Sequence, residues 1–127
     1  MVLAEFKRVN DTNIGLVMRG HSSHKERGQL IVCAAISGVF YTLLGYLKNT
    51  FGANFKVHRL KSGDVDIECT GPGSEAFRMA CIGFLQIGEM YPGEIEVVNR
   101  VWDSKLCVVP LVDILNFNLE EMENGEF

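Results

Sequence analysis

The clearest hydrophobic pattern in the chain lies between residues 29 and 49, where apolar side chains recur every three or four residues. This spacing places them along one side of an α-helix. They cover more than half of the helix circumference, which is typical of a central, well-buried helix. The apolar positions are Ile31, Val32, Ala35, Ile36, Val39, Phe40, Leu43, Leu44 and Leu47.

Shorter apolar and alternating stretches predict five strands and a second helix. Four of the strands form two hairpins, one around the turn cluster Asp11–Asn13 and one around Lys61–Gly63. Ser74 is expected to cap the second helix, and Tyr91-Pro92-Gly93 to end it. The strands are predicted at residues 2–9, 14–19, 54–60, 64–70 and 95–98, and the second helix at 74–90. The order β-β-α-β-β-α-β predicts a two-layer α+β fold, a mostly antiparallel sheet with two helices on one face.

A length of 127 residues is that of one domain. We expect this domain to span residues 1–101 and a C-terminal extension to span 102–127. The extension contains the apolar run Leu106–Val112 and the acidic end Glu120–Phe127, which we expect to be disordered. No unbroken apolar run reaches eighteen residues, and the first residues lack the pattern of a signal peptide, so neither a membrane span nor export is predicted.

Net charge and cysteine spacing narrow the class of protein further. A net charge of −4 argues against direct nucleic-acid binding. The four cysteines are widely spaced and form no Cys-x-x-Cys, so reduced thiols in the cytoplasm are expected. Cys69, Cys81 and Cys107 are expected to be small buried hydrophobic side chains.

Cys33 differs from the other three because the segment Gly28–Ser37 opens the long helix and His21 precedes it by twelve residues. A thiol in the first turn of a helix is favoured as thiolate, and a histidine within reach can act as its base. Backbone N–H groups at the helix start could then stabilise an oxyanion. From the residues alone, a buried helix cysteine is the commoner interpretation. The pattern His21-x-x-His24 lacks further ligands at suitable spacing, so no metal is expected.

Two motifs resemble those of a known family. The first comprises Arg19–Ser22, with the sequence RGHS, a polar loop, and Gly28–Ser37, with the sequence GQLIVCAAIS. The second is Ile87–Pro92, IGEMYP, which is similar to a closing helix that ends in Tyr-Pro. Together they resemble the ribosomal-processing cysteine protease family Prp, also called YsxB-like, over about residues 1–98.

The resemblance implies a homodimeric α+β endopeptidase that needs no cofactor. Cys33 would be the nucleophile and His21 the general base, while Ser22 and Ser37 would contact the substrate peptide and the loop 22–28 would order over it. The implied substrate is a large-subunit ribosomal protein that loses an N-terminal extension. For a phage-encoded member it would be a capsid or scaffold protein.

The chain departs from the family pattern at Leu30, where the family has an aspartate three residues before the cysteine. A carboxylate there could orient the histidine, cap the helix or contact substrate, and leucine can do none of these. In Cys-His enzymes the third catalytic group, which orients the histidine, often matters least, because a thiol needs less activation than a hydroxyl. Glu26 in the loop could also supply the missing carboxylate. The alternative is a catalytically impaired relative that binds the same peptide without cutting it.

Overall fold

The computed structural model describes residues 1–21, 27–103, 106–110 and 113. Its helices and strands follow the predicted order β-β-α-β-β-α-β. Short 3-10 turns, Gly52–Asn54 and Gly71–Gly73, precede the third strand and the second helix. The elements are β1 (Val2–Arg8), β2 (Asn13–Gly20), α1 (Arg27–Phe51), β3 (Phe55–Lys61), β4 (Asp64–Thr70), α2 (Ser74–Met90) and β5 (Ile95–Arg100).

The five strands form one sheet in the order β3-β4-β2-β1-β5, and only the pairing of β1 with β5 is parallel. Both helices cover the face that carries the alternate apolar side chains, so the predicted α+β fold is confirmed. In the register of the sheet, Gly20 lies opposite Val2 and Arg19 lies opposite Asp64. The end of β2 therefore lies beside the turn that joins β3 to β4.

The centre of the core is a group of aromatic rings between β1 and α2. Phe6, Phe77 and Phe84 are fully buried, and the Phe6 ring centroid lies 6.5 Å from that of Phe77 and 6.1 Å from that of Phe84. Helix α1 contributes a stripe at helical spacing, which comprises Val32, Ile36, Phe40, Leu43 and Leu47. These contacts fix α1, and with it Cys33, against the sheet.

Replacing Phe84 with alanine is expected to lower the free energy of unfolding by about 3–5 kcal/mol, because a buried ring is lost and a cavity is left. Met90→Ala in the last turn of the same helix is the control, since its side chain is 40% exposed and the expected change is below about 0.5 kcal/mol. Urea unfolding followed by circular dichroism measures both. A Phe84→Ala loss no larger than that of Met90→Ala would contradict this description of the core.

The starts of both helices differ from the prediction. Helix α1 begins at Arg27 rather than Gln29 and ends at Phe51. In α2, Ser74 is the first helical residue, and Gly73 occupies the N-cap position without a side-chain hydrogen bond. The expected serine cap was wrong because the 3-10 turn leads directly into the helix. A Cβ on Gly73 would lie 3.1 Å from Cys69 Sγ and 3.3 Å from Leu47 Cδ2, so glycine permits this close approach.

One stretch of the described chain, Ile31–Asn54, is long and apolar enough to cross a membrane by length and composition alone. The prediction of no membrane span relied on unbroken apolar runs, and polar and glycine residues interrupt this one. The core helix of a globular domain meets the same criteria, and the buried stripe of α1 lies against the sheet. Only 28% of the most apolar part of this stretch is buried, however, so much of its outer side faces away from the core.

The first residues of the C-terminal extension pack on the domain. The Trp102 ring lies 5.7 Å from that of Phe6, and Leu106 packs against the core. Cys107 is exposed, so the expectation that it is buried was wrong: beside it Leu106, not the thiol, packs against the core. The acidic end Glu120–Phe127, expected to be disordered, lies outside the described residues.

Candidate active site

The backbone of His21 is held at the point where β2 ends. The N-terminal amine of Met1 donates a hydrogen bond to the His21 carbonyl at 2.8 Å. The Gly20 N–H donates to the Gly63 carbonyl at 3.0 Å, which ties the end of β2 to the β3–β4 turn. Gly20 has a φ of 95°, and a Cβ there would collide with the Met1 carbonyl. His21 is thus fixed between the start of β1 and this turn.

The His21 imidazole lies directly against Gly63. Gly63 has a φ of 75°, a conformation that favours glycine. A Cβ on Gly63 would come within 3.0 Å of three ring atoms, Nε2, Cε1 and Cδ2. Glycine is therefore required twice, once by the turn and once by the histidine ring. The sequence marked this residue only as part of a hairpin turn, because nothing local to the turn indicates that a histidine 42 positions away packs on it.

Cys33 is the seventh residue of α1, nearly two turns from its start at Arg27. The expectation of a first-turn thiol was therefore wrong, since the field of the helix terminus falls off within that turn. In an α-helix the N–H of residue 33 donates to the carbonyl of residue 29, so it is not an obvious oxyanion donor either. The thiol is partly exposed, and Ser37 and Tyr41 follow it at four-residue spacing on the same side of the helix.

His21 and Cys33 line the same cavity, which has a volume of about 290 Å³. One wall is the side of α1 that carries Cys33, Ser37 and Tyr41, and the opposite wall is the β3–β4 turn with its flanking residues. The remaining lining residues are Val2, Met18, Gly20, Ile36, Phe40, Leu60, Lys61, Ser62, Gly63, Asp64 and Val65. A thiol and an imidazole in one open, mixed polar and apolar cleft are suited to proton transfer beside a bound peptide.

The structure brings together three of the four predicted site residues, His21, Cys33 and Ser37. Ser22, the loop residues 22–26 and the suggested substitute Glu26 lie outside the described residues. Leu30 lies within α1. Sequence reasoning missed the β3–β4 wall, because a hairpin pattern predicts two paired strands but not that β4 also pairs with β2 beside His21.

No group of three His, Cys, Asp or Glu side chains arranged as metal ligands occurs within the described part of the chain. His24 lies outside that part. Two of the cysteines are buried as predicted: burial raises the pKa of Cys69, and it raises the pKa of Cys81 to about 11. Neither residue lines the cavity, so they are structural rather than reactive thiols.

A second polar cluster lies on the face of the sheet opposite the helices. The buried Glu68 accepts a hydrogen bond from Asn13 Nδ2 at 2.7 Å and contacts His58 Nε2. The hydrogen bonds from Asn13 and His58 lower the pKa of the Glu68 carboxyl against the opposing effect of its burial. The sequence assigned no role to His58, which is near the irregularity in β3 between Val57 and Arg59.

Glu68→Gln is expected to lower the free energy of unfolding at pH 7 by about 1–2 kcal/mol, since it replaces a charge-assisted hydrogen-bond acceptor. The pKa of Glu68 is lower in the folded state than in the unfolded chain, where it is about 4.3. The ionised carboxylate therefore stabilises the fold above about pH 4.3, and this stabilisation is lost as the pH falls through the folded-state pKa. The difference between wild type and variant should therefore narrow in acid. Urea unfolding at pH 7 and near pH 3 measures it, with Glu96→Gln as control, since Glu96 is exposed on β5. An equal difference at both pH values would contradict the assignment.

Comparisons with known proteins agree with this fold. The family model described as cysteine protease Prp matches residues 1–96. No curated protein sequence matches the chain significantly.

Solved structures resemble the chain over the domain. The essential ribosomal processing protease Prp from S. aureus, in complex with a covalently linked product peptide, is 18% identical with a TM-score of 0.64, and the match covers 79% of this chain and 100% of that one. The same S. aureus protease with a substrate peptide is 19% identical with a TM-score of 0.63 and the same coverage. The Streptococcus mutans protein SMU.848 is 21% identical with a TM-score of 0.56, covering 80% of this chain and 96% of its own. At these identities the likeness shows the shared fold.

Proposed function

Because the chain belongs to the cysteine protease Prp family, we propose that it is a site-specific cysteine endopeptidase with Cys33 as nucleophile and His21 as general base. The observation that carries this proposal is that the two side chains come from separate parts of the sequence and line one cavity. The N-terminal part of the motif ends a strand, the C-terminal part lies on a helix, and the fold brings both to the same cleft.

In the proposed reaction, Cys33 Sγ attacks the scissile carbonyl while His21 accepts the thiol proton. The C–N bond breaks when His21 returns that proton to the leaving amine, and the acyl group remains on sulfur as a thioester. Water, deprotonated by His21, then attacks the thioester and releases the acid product and the Cys33 thiol. This is the sequence of steps expected for a nucleophile with an adjacent base.

The cleft walls indicate how a peptide would bind. Ser37 follows Cys33 by one helical turn and could donate its hydroxyl to a peptide carbonyl. Ser22 would also contact the peptide, with the loop 22–26 ordered over it, since the structure places residues 27 and 28 in α1. Apolar lining residues such as Ile36, Phe40 and Leu60 favour a hydrophobic side chain next to the cut bond.

The proposed substrate is a large-subunit ribosomal protein with an N-terminal extension, from the resemblance to the family and because the S. aureus relative is a ribosomal processing protease. For a phage-encoded protein, the substrate would be a capsid or scaffold protein. The test incubates the purified chain with each class of precursor and maps new termini by mass spectrometry. One precursor cut at one bond is expected. If neither class is cut by the wild type, or if Cys33→Ala cuts equally well, the proposal is wrong.

A second candidate function is a peptide-binding relative that does not cut. Two observations favour it: Leu30 replaces the family's aspartate, and Cys33 lies beyond the first turn of α1. Leu30→Asp separates the candidates, with Leu30→Asn as a control of similar shape without a carboxylate. For an active protease, Leu30→Asp should change kcat/KM by less than about tenfold, or 1.4 kcal/mol. If only Leu30→Asp cuts, while the wild type and Leu30→Asn merely bind, the second candidate is correct.

We further propose that the protein is a cytoplasmic homodimer, from the resemblance to the family. Sedimentation equilibrium tests the assembly, since one chain has a mass of 14.2 kDa. A dimer gives twice this mass across a dilution series, whereas a constant single-chain mass would contradict it.

A further inference from the structure

The outer side of the helix layer contains an apolar groove between α1 and α2, which shares no lining residue with the candidate active site. Its volume is about 750 Å³. The floor is built from small residues, including Gly38, Ala76 and Gly83, and the rim carries larger apolar side chains. Met79 and Tyr46 at the rim are 75% and 52% exposed. Large apolar side chains around a concave apolar surface are typical of a binding surface.

Burial of α1 supports the same conclusion. The helix is apolar around much of its circumference, yet only 28% of its most apolar part is buried by the described residues. Covering the groove would remove the remaining apolar side from water, which is favourable. A segment of matching chemistry within the same chain could cover it without the entropy cost of association between two chains.

A pair of hydrogen bonds ties the C-terminal extension to α2 beside this groove. Gln86 Nε2 donates to the Val109 carbonyl at 3.2 Å, and the Val109 N–H donates to Gln86 Oε1. Gln86 follows Met79, Ile82 and Gly83 at helical spacing, so it continues the stripe of α2 that lines the groove. The extension starts from Trp102 beside Phe6 in β1 and reaches this stripe at Val109. It therefore reaches α2 on the side that carries Met79.

The segment that follows Pro110 has the length and the apolar side chains needed to cover the groove. The segment 111–119 contains six large apolar residues among nine, namely Leu111, Val112, Ile114, Leu115, Phe117 and Leu119. From Gly83 to Ala76 the groove spans about seven helical residues, or roughly 10 Å. Nine residues cover this distance either as a helix or extended. The whole S. aureus protease aligns with 79% of this chain, so this chain has residues beyond the shared fold. We assign these additional residues to the C-terminal extension.

We propose that the segment 111–119 of the same chain docks in the α1–α2 groove, with Gln86 as its anchor. This docking closes the apolar side of α1 and makes the extension part of the folded domain. It does not depend on protease activity.

The test places the photo-crosslinking residue p-benzoylphenylalanine at position 79 of the full chain. Trypsin cuts after Arg78, Arg100 and Lys105, so the probe lies in peptide 79–100 and the segment lies in peptide 106–127. After irradiation, mass spectrometry is expected to find these two peptides joined at a residue within 111–119. A mixture of ¹⁴N- and ¹⁵N-labelled protein shows whether the joined peptides come from one chain. The control probe replaces Val57, which is 47% exposed on β3 and should give no such product.

Two variants test whether Gln86 anchors the segment. Gln86→Ala removes both hydrogen bonds to Val109 and should lower the yield of the cross-link at least threefold, whereas Glu89→Ala, exposed on the same helix, should leave it unchanged. Thermal unfolding checks that each variant is folded. The proposal is wrong if position 79 joins 111–119 only between chains, if it joins another surface instead, or if both peptides are fully recovered without a product.

Discussion

Cys33→Ala is expected to abolish peptide-bond cleavage, with a fall in kcat of at least about 10⁴-fold, because the atom that forms the thioester is lost. Binding should survive, since the cleft walls do not change. Cleavage is measured by mass spectrometry of the substrate and binding by fluorescence anisotropy of a labelled peptide. Cys33→Ser tests whether a hydroxyl at the same place retains a trace of activity.

The matched control for this prediction is Cys107→Ser. Cys107 is an exposed thiol in the C-terminal extension, outside the candidate site. This variant should cut at the wild-type rate. Cleavage by Cys33→Ala at a rate within tenfold of wild type would exclude Cys33 as the nucleophile.

Gly63→Ala is expected to lower kcat/KM by about 10²-fold although Gly63 has no side chain to react. The new Cβ would occupy the space of the His21 ring, and a shift of about 1 Å in a catalytic group costs roughly this factor. The positive φ at Gly63 should also reduce the free energy of unfolding by about 1–2 kcal/mol. Steady-state cleavage assays and urea unfolding measure the two effects separately.

Gly93→Ala provides the control for strain. Gly93 has a φ of 86° and nothing within 4 Å of an added Cβ, so it should suffer a similar loss of stability without a loss of cleavage. If the two variants lose activity equally, the contact between Gly63 and His21 does not position the histidine. If Gly63→Ala cuts normally, the ring is not held as the structure places it.

Much of the fold could be predicted from the sequence, because the apolar residues of the two helices and four of the strands repeat at clear periods. Phe77, Cys81 and Phe84 recur at helical spacing in α2 and are buried in the structure. The helix starts were less predictable. Gly73 rather than Ser74 is the N-cap, since a tertiary contact with Leu47 and Cys69 decides how the chain enters α2.

The candidate site was only half predictable for a similar reason. Cys33 and His21 stand in a recognisable motif, but the wall opposite them comes from a turn about 30 residues later in the chain. Gly63 reaches His21 because β4 pairs with β2, and that pairing depends on the register of the whole sheet. Local patterns also placed Cys33 in a first helical turn, whereas α1 begins six residues before it.

If Cys33 is the nucleophile, it carries the acyl group of the substrate during turnover, and this covalent intermediate can be trapped. Acid quenching during turnover, followed by digestion with trypsin, should yield peptide 28–48 with the added mass of the acyl fragment of the substrate. Cys33 is the single cysteine in that peptide. We expect the adduct on this peptide in the wild type, and we expect none in His21→Ala at the same time point. Product formation with the adduct on another cysteine, or with no adduct on peptide 28–48 under conditions that preserve a thioester, would contradict the assignment of Cys33 as the nucleophile.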